Sequence, residues 1–456
     1  MHITLSERPD VPDDAPVTAW IQQAIDHIAA AGGGMLTLPA GRYVTGALVL
    51  PSHFHLYLQR GAELIASPDY ADYQAGETLT VAEQSQRGLI YAYDQCNITL
   101  SGAGSINGNA DFWFSPVRDE QGYRMPARER PRMIVLESCQ HVCLRGIRLF
   151  NAPMWTVHLV SCQHVVVSQL TIDNDMTMAN TDALDIDSCQ FVHISDSLFS
   201  AADDGICLKT TNKPGNLRGP TRHVTITNCT LRSYSSAFKI GTETVDDIED
   251  ITLRDCTIID SNRAIGIISR DGGWFRRLHF HNISFVCRYV NACHWGRADP
   301  VFISSRRRDP VVAPGAISQV RFSALRGHAQ GAINLHAETA GEIDDIHFSE
   351  IQLQQRFSEN AQQGSYDIRP PCNPAQPTGS GLDNAFLLNP LTGEPYGVER
   401  YPGGMPALFA SGVTGLRLDN CLFERPTPIP EGWNHEAVVV ERISAVENLS
   451  RNGNGS

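Results

Sequence analysis

The chain has 456 residues, 42% of them hydrophobic, so it can bury a large core. Its formal net charge is −14 at pH 7, which argues against nucleic acid or an anionic membrane as a partner, because both attract positively charged surfaces. No apolar run approaches the ~20 residues that span a membrane. The first residues lack the pattern of a secretion signal, so a cytoplasmic protein is expected.

The N-terminal segment carries the pattern of an amphipathic helix. Within Pro16–Ala31 the apolar residues recur at helical spacing, and Asp13 or Asp14 is the expected N-cap. Three consecutive glycines, residues 32–34, are expected to end the helix. The helix would therefore form an N-terminal cap over about residues 1–35.

Short strands then recur, each preceded by a cysteine. Cys139, Cys162 and Cys189 are 23 and 27 residues apart, and Cys229 and Cys256 are again 27 apart. A period in the twenties with short strands is typical of a solenoid. The gaps between the strands leave little room for the helices of βαβ units.

The repeat predicts an all-β fold, a right-handed parallel β-helix. We expect one domain over residues 1–450 and a disordered tail at 451–456; the oligomeric state is not indicated. Cysteines in register would stack as small buried hydrophobes, and the absence of a C-x-x-C pair argues against a metal site. Without an export signal, all twelve cysteines are expected to be reduced.

Three aspartates form the densest group of reactive side chains. Asp182 precedes Asp203 by 21 residues and Asp204 by 22, close to one coil, so the three carboxylates could be neighbours roughly 5 Å apart on adjacent coils. Crowded carboxylates raise the pKa of at least one of them, and a protonated acid beside ionised ones is what glycoside hydrolysis requires. A calcium site and a solvated acidic ladder are the alternative interpretations.

The motifs around these acids resemble those of the polygalacturonases, glycoside hydrolase family 28. The N-T-D motif matches Asn180–Asp182, the D-D motif matches Asp203 and Asp204, and Pro153–Leu159 resembles the strand before the first motif. The resemblance extends from the N-terminal helix to about Phe423.

The resemblance implies an inverting hydrolase with a β-helix fold. Asp203 would be the general acid, and Asp182 and Asp204 would activate the attacking water. In an inverting enzyme the acid and base carboxyl groups are expected to lie roughly 6.5–9.5 Å apart.

The chain departs from the family pattern at its basic residues. The family's G-H-G falls on Ser235–Ala237, so Ser236 replaces the histidine, and its R-I-K falls on Gly266 and Ile268 in place of arginine and lysine. In the family these basic residues hold the substrate carboxylate. Candidates to replace them are Lys209, Lys239, Arg263 and Arg270.

Two further motifs, His294–Ser304 (HWGRADPVFIS) and Tyr366–Pro370 (YDIRP), resemble a bacterial branch of the same family. Members of that branch tend to act on oligosaccharides or on side chains of pectic polymers.

Several other side chains are candidate substrate contacts. Asn180 and Ser236 belong to the matched motifs, and Glu243 could bind a sugar hydroxyl or act as an alternative acid. Trp155 and His158, and similarly Trp295, could form a platform for a sugar ring, although such residues more often pack inside a protein. The run 306–308 is expected to be a solvated basic loop.

The predicted function is exo-type, inverting hydrolysis of uronate- or rhamnose-containing oligosaccharides derived from pectin, without a metal or other cofactor. Long loops between Arg356 and Pro406 would close one end of the cleft. One alternative is a β-helix polysaccharide lyase, which would use calcium and a basic residue to abstract a proton. The other is a non-catalytic β-helix that binds glycans.

Overall fold

The computed structural model describes residues 1–5, 9–119, 122–292, 294–359, 364–369, 387–442 and 446–448. Its parallel strands confirm the predicted right-handed parallel β-helix. The described chain forms two compact units: unit 1 contains residues 1–206 and 213–225, and unit 2 contains 207–212 and the residues from 226 onward. The single domain over 1–450 stays a prediction, and the tail at 451–456 lies outside the described residues.

Helix α1 spans Thr18–Ala30 and buries Ile21, Ile25 and Ile28, which confirms the predicted apolar face. The predicted cap is wrong: Val17 is the N-cap residue, and no side chain caps the helix there. The backbone N–H of Val17 instead donates to the carbonyl oxygen of Val44, so the helix start is attached to the first coil. No helix among the described residues is long and apolar enough to cross a membrane.

Unit 1 consists of coils with up to three short strands each. Its strands are β1 (His2–Thr4), β2 (Gly34–Leu38), β3 (Gly41–Thr45), β4 (Leu48–Val49), β5 (Phe54–Leu58), β6 (Ala62–Ala66), β7 (Glu77–Ala82), β8 (Ser85–Tyr93), β9 (Cys96–Gly102), β10 (Ser105–Asn107), β11 (Arg132–Glu137), β12 (Gln140–Arg145), β13 (Arg148–Phe150), β14 (Val157–Val160), β15 (Gln163–Ser168), β16 (Thr171–Asp173), β17 (Leu184–Asp187), β18 (Gln190–Ser195) and β19 (Leu198–Ala201). Short 3₁₀ helices span Tyr70–Gly76, Ala110–Phe112 and Gly215–Leu217.

The chain passes between the units within β20 (Ile206–Thr210) and β21 (Thr221–Thr227). The strands of unit 2 are β22 (Thr230–Ser233), β23 (Ser236–Thr244), β24 (Ile248–Ser261), β25 (Arg263–Ser269), β26 (Phe275–Cys287), β27 (Val301–Ser305), β28 (Ile317–Ala329), β29 (Ile333–Ala337), β30 (Ile343–Ser349), β31 (Gln352–Gln355), β32 (Ser365–Asp367), β33 (Val398–Arg400), β34 (Leu408–Ser411), β35 (Val413–Asp419), β36 (Leu422–Glu424), β37 (Val438–Glu441) and β38 (Val446–Asn448).

Strands at equivalent points of successive coils pair in parallel and in register. In unit 1, β8, β11, β14 and β17 form one such sheet, in which Val135 lies opposite His158 and His158 lies opposite Asp185. In unit 2, β23, β25, β27, β29 and β34 form the equivalent series. A residue on one coil is therefore next to the residue about one period away in the sequence.

The interior of each unit is built from rows of identical or similar side chains. Cys139, Cys162 and Cys189 are fully buried in unit 1, and the N–H of Cys162 donates to Sγ of Cys189 at 3.3 Å. In unit 2 the ring of Phe322 stacks between those of Phe280 and Phe348, with centroids 4.8 and 4.6 Å away. Stacking along the axis thus forms the core, as the repeat predicts.

The predicted burial of the cysteines holds for most of those that the structure describes, while their reduced state stays a prediction. All ten described cysteines are free, and seven of them are buried. The other two, Cys293 and Cys372, lie outside the described residues.

Candidate active site

The three predicted catalytic aspartates meet in unit 1. Asp182, Asp203 and Asp204 each place one carboxylate oxygen within 4.8 Å of the others. Backbone pairing between coils brings them together: the N–H of Ala183 donates to the carbonyl oxygen of Asp204 at 2.9 Å. Asp182 and Asp204 are 3% and 1% exposed, whereas Asp203 is partly exposed. One carboxyl group therefore faces solvent beside two buried ones.

The separation of these acids is short. A distance of at most 4.8 Å between the nearest oxygens is smaller than the roughly 6.5–9.5 Å between carboxyl groups that inversion predicts. The separation alone therefore does not support inversion over retention.

The same oxygens could also hold a divalent cation, because hard cations prefer carboxylate ligands. Calcium takes six to eight oxygen ligands. Three monodentate carboxylates would supply at most half of the ligands that calcium takes. These distances do not test the expected absence of a metal, which stays a prediction.

A buried guanidinium group that the sequence analysis missed lies beside the acids. Arg130 is 7% exposed and donates to the carbonyl oxygens of Pro153 and Ala179 and to Oδ1 of Asn180, at 3.0, 2.8 and 2.9 Å. Asn180, a predicted substrate contact, is thus buried and held by Arg130.

Burial lowers the pKa of Arg130 to about 10, although the charges of neighbouring acids, Asp182 and Asp203 among them, act in the opposite direction. The group therefore carries a full positive charge at neutral pH, next to the aspartates. No motif marks Arg130 in the sequence, since it lies among four arginines between residues 124 and 132.

His158 belongs to a buried chain of ionisable groups. Its Nδ1 accepts a hydrogen bond from Arg132 at 2.7 Å, and its Nε2 lies 3.5 Å from Oδ2 of Asp187. Lys213 binds the other oxygen of Asp187 at 2.5 Å. The Trp155 ring packs edge-on against His158, with centroids 4.9 Å apart.

Trp155 and His158 are 3% and 1% exposed. This burial favours the alternative interpretation, in which both rings pack inside the protein. A sugar platform at these residues stays a prediction.

The pKa values of this chain of groups follow from their burial and charges. Burial lowers the pKa of His158 to about 4, more than the nearby carboxylate of Asp187 raises it. Burial alone would raise the pKa of Asp187, but Lys213 and His158 hold it far below its usual range. At neutral pH the histidine is therefore neutral and the Asp187 carboxyl group is ionised.

In unit 2, two of the predicted contacts pair with each other. Nζ of Lys209 donates to Oε2 of Glu243 at 3.1 Å, and the Glu243 side chain keeps 23% of its exposure. Burial would raise the pKa of Glu243, but Lys209, Arg308 and Lys239 together lower it to about 2. Glu243 is thus ionised at neutral pH, which argues against its role as an alternative acid.

Ser236 and Lys239 approach the same small space in unit 2. A Cβ atom built on Gly266 would lie 3.2 Å from Oγ of Ser236 and 4.0 Å from Cγ of Lys239. The two side chains therefore share a face, whereas strict alternation along a strand would place residues three apart on opposite faces. Nζ of Lys239 lies 5.2 Å from the ring centroid of Trp295.

The two predicted arginine contacts are deeply buried. Arg263 pairs with Asp299 at 3.1 Å and donates to backbone carbonyl oxygens, while Arg270 donates to the carbonyl oxygens of Arg306 and Arg307. Through these contacts both side chains hold loops in place. Substrate binding by either arginine stays a prediction. The solvated basic run is wrong for Arg308, whose side chain is 12% exposed and pairs with Asp271 at 2.7 Å.

The model of glycosyl hydrolases family 28 matches residues 70–362, well over half of the chain. This chain therefore belongs to family 28 of the glycosyl hydrolases, whose members are glycosidases. The match covers the three aspartates and both motifs around them.

Several proteins resemble the chain over much of its length. A probable polygalacturonase of Vitis vinifera is 28% identical over 284 residues, which cover 59% of this chain and 57% of that protein. An endo-polygalacturonase of Pectobacterium carotovorum subsp. carotovorum is 22% identical over 75% of this chain and 85% of its own. The chain thus spans little more than half the length of the grapevine relative.

Solved structures support the fold. The family 28 exopolygalacturonase of Yersinia enterocolitica aligns with a TM-score of 0.68 and 17% identity, covering 97% of this chain and 78% of that one. The exopolygalacturonase of Thermotoga maritima aligns with a TM-score of 0.62 and 18% identity, covering 78% and 87%.

Proposed function

We propose that the protein hydrolyses glycosidic bonds in pectin-derived oligosaccharides that contain uronate or rhamnose, with inversion and from one chain end. The observation that carries the hydrolysis is the meeting of Asp182, Asp203 and Asp204 within 4.8 Å, while inversion rests on the resemblance to family 28. Asp203, the partly exposed member, protonates the leaving oxygen. The buried Asp182 and Asp204 orient and deprotonate the attacking water.

The pectic substrate is supported by the relatives, which are named as polygalacturonases. It is also supported by positive charge in unit 2, where Lys209, Lys239 and Arg308 act together on Glu243. Cations of this kind suit an anionic sugar.

Exo action is supported by strand β7, which forms a cover over β8 and β11, the strands that come before the catalytic aspartates in unit 1. Strand β7 folds back antiparallel to β8, and the N–H groups of Leu79 and Thr80 each donate to the carboxylate of Glu137 at 2.9 Å. Ala82, at the end of β7, packs with Met154 and Trp155. Every residue of β11 is buried, so this part of the sheet offers little exposed surface along which a long polysaccharide could bind. The predicted closing loops, 356–406, lie partly outside the described residues.

The test is hydrolysis of a panel of pectic oligosaccharides by the wild type and by Asp182→Asn, Asp203→Asn and Asp204→Asn. General acid–base catalysis contributes ~10²- to 10⁴-fold, so each variant should lose at least about 10²-fold in turnover with an unchanged circular dichroism spectrum. Asp173→Asn is the matched control, since Asp173 is half-exposed and pairs with Arg148 on the surface. Full activity of Asp203→Asn would refute the assignment of the acid.

Two further readouts test the finer parts of the proposal. Proton NMR of the first product should reveal the anomer opposite to that of the substrate; the same anomer would refute inversion. Release of one small product at a constant size from the start supports exo action, whereas a rapid fall in polymer viscosity contradicts it.

The alternatives give different results. A lyase would leave an unsaturated product that absorbs in the ultraviolet, and a chelator would abolish its activity. A glycan-binding protein would bind the same sugars and release no reducing ends.

We also propose a reducing, cytoplasmic location, supported by the free state of all ten described cysteines. Titration of the denatured protein, isolated without reductant, should find twelve thiols. Three or more native disulfides would contradict this location.

A further inference from the structure

The two motifs that resemble a bacterial branch of the family meet in unit 2 and enclose one tryptophan. Trp295 is partly exposed, whereas its neighbours His294 and Gly296 are buried. The backbone is held at all three residues. The carbonyl oxygen of His294 accepts a hydrogen bond from Arg369 at 3.1 Å. The carbonyl oxygen of Trp295 accepts one from Asn262 at 3.0 Å. The N–H of Gly296 donates to the carboxylate of Asp367 at 2.8 Å.

Asp367 and Arg369 form the centre of this clamp, and both are 1% exposed. The guanidinium group of Arg369 donates to both oxygens of Asp367, at 2.7 to 3.1 Å. Arg263 donates to the carbonyl oxygen of Asp367 at 2.6 Å and pairs with Asp299. Burial would raise the pKa of Asp367, but Arg369 and the other arginines lower it to about 2, so the clamp is ionised at neutral pH.

Gly296 is required by this arrangement. Its φ is +119°, in the region that favours glycine, and a Cβ atom there would lie 2.9 Å from Cγ of Arg263. The chain therefore runs directly against the Arg263 side chain. Such close packing fixes the direction in which Trp295 leaves the backbone.

The indole also has a fixed partner on one face. Nζ of Lys239 lies 5.2 Å from the ring centroid, within the range of a cation–π contact. Lys239 itself is 3% exposed. A buried ammonium group thus contacts the ring of a residue that is partly exposed to solvent.

We propose that Trp295 is a saccharide-binding residue and that Asp367 and Arg369 are positioning residues that hold it. The exposed part of the indole packs against the apolar C–H face of a sugar ring, which removes apolar surface of both from water. Because the clamp already fixes the indole ring, little conformational entropy is lost when the sugar binds. The assignment rests on the proposed function, because it takes the ligand to be a pectic sugar.

The experiment measures binding in an Asp203→Asn background, so that the ligand survives. Trigalacturonate and its methyl ester are titrated by calorimetry into this parent and into added variants. Trp295→Leu should raise Kd about tenfold for both ligands, since the stacking contact does not involve the carboxylate, and Trp295→Phe should raise it less. Asp367→Asn and Arg369→Lys should each weaken binding although they leave the indole in the chain.

Glu249→Gln is the matched control. Glu249 is also a buried carboxylate paired with two arginines, Arg276 and Arg277, but it has no contact with the clamp. Its Kd should stay within about twofold of the parent, while its unfolding temperature falls as that of Asp367→Asn does. A purely structural role for Asp367 would give these two variants the same Kd.

Three results would overturn the inference: unchanged binding in Trp295→Leu, unchanged binding in both clamp variants, or no binding of either ligand to the parent. In the last case, hydrolysis of another sugar by the wild type would leave the proposed catalytic function intact. Conversely, the absence of any hydrolysis would refute the function while the binding titrations still decide the role of Trp295.

Discussion

The buried histidine beside Asp187 makes a specific prediction about stability in acid. The pKa of His158 falls from its usual 6.5 to about 4 because burial disfavours the charged ring, so the folded protein keeps this histidine neutral down to about pH 4. In the unfolded chain the same ring binds a proton below pH 6.5. Between these values the unfolded state binds more protons, and the free energy of unfolding must fall as the pH falls.

The magnitude follows from the two pKa values. One proton changes the free energy by at most ~1.4 kcal/mol per pH unit, so the whole window from 6.5 to about 4 contributes up to about 3 kcal/mol. Below about pH 4 both states are protonated and the contribution stops changing. His294 and His336, whose pKa values burial lowers to about 3 and about 4, add to the loss in the same direction.

Replacement of His158 by glutamine isolates the contribution of this one ring. Glutamine can still accept from Arg132 and donate toward Asp187, but it does not titrate. Urea unfolding of the wild type and of His158→Gln, followed by circular dichroism from pH 7 to pH 4.5, measures both free energies. From pH 7 to pH 4.5, the free energy of unfolding of the wild type should fall by about 2 kcal/mol more than that of His158→Gln. Parallel pH dependences would refute the buried, neutral state of His158.

Two more predictions concern residues that the structure singles out. Arg130→Gln removes the cation beside Asp182 and Asp203, so the acidic limb of the kcat/KM profile should move to higher pH; an unmoved limb would contradict the electrostatic role of Arg130. Gly296→Ala should lower the free energy of unfolding by about 1–3 kcal/mol because of its positive φ and the contact with Arg263. Gly215→Ala, where a Cβ meets nothing within 4 Å, should cost less than about 1 kcal/mol, and equal costs would contradict the argument.

The architecture could be predicted from the sequence because it depends on a repeated local pattern. Each coil needs an apolar residue at every second strand position and a turn at a fixed distance. Cys139, Cys162 and Cys189 mark that period, and parallel pairing in register then follows for the coils that carry it. The meeting of Asp182 with Asp204 follows from the same register, since the two are one coil apart.

The tertiary structure alone decided the parts of the site that depend on insertions between coils. The cover formed by β7 reaches Glu137, 57 residues further along the chain from Thr80, and the clamp joins Asp367 to Gly296 across 71 residues. Neither contact follows the period, because the length and path of an insertion are not set by the repeat.

The same limit explains the errors at single residues. The expected cap at Asp13 or Asp14 was a local inference, but a backbone contact with Val44 anchors the helix start instead. Arg130 and Arg308 look like ordinary surface arginines in the sequence. Their burial is decided by which loops cover them, and a buried charge must then be satisfied by whatever groups those loops bring within reach.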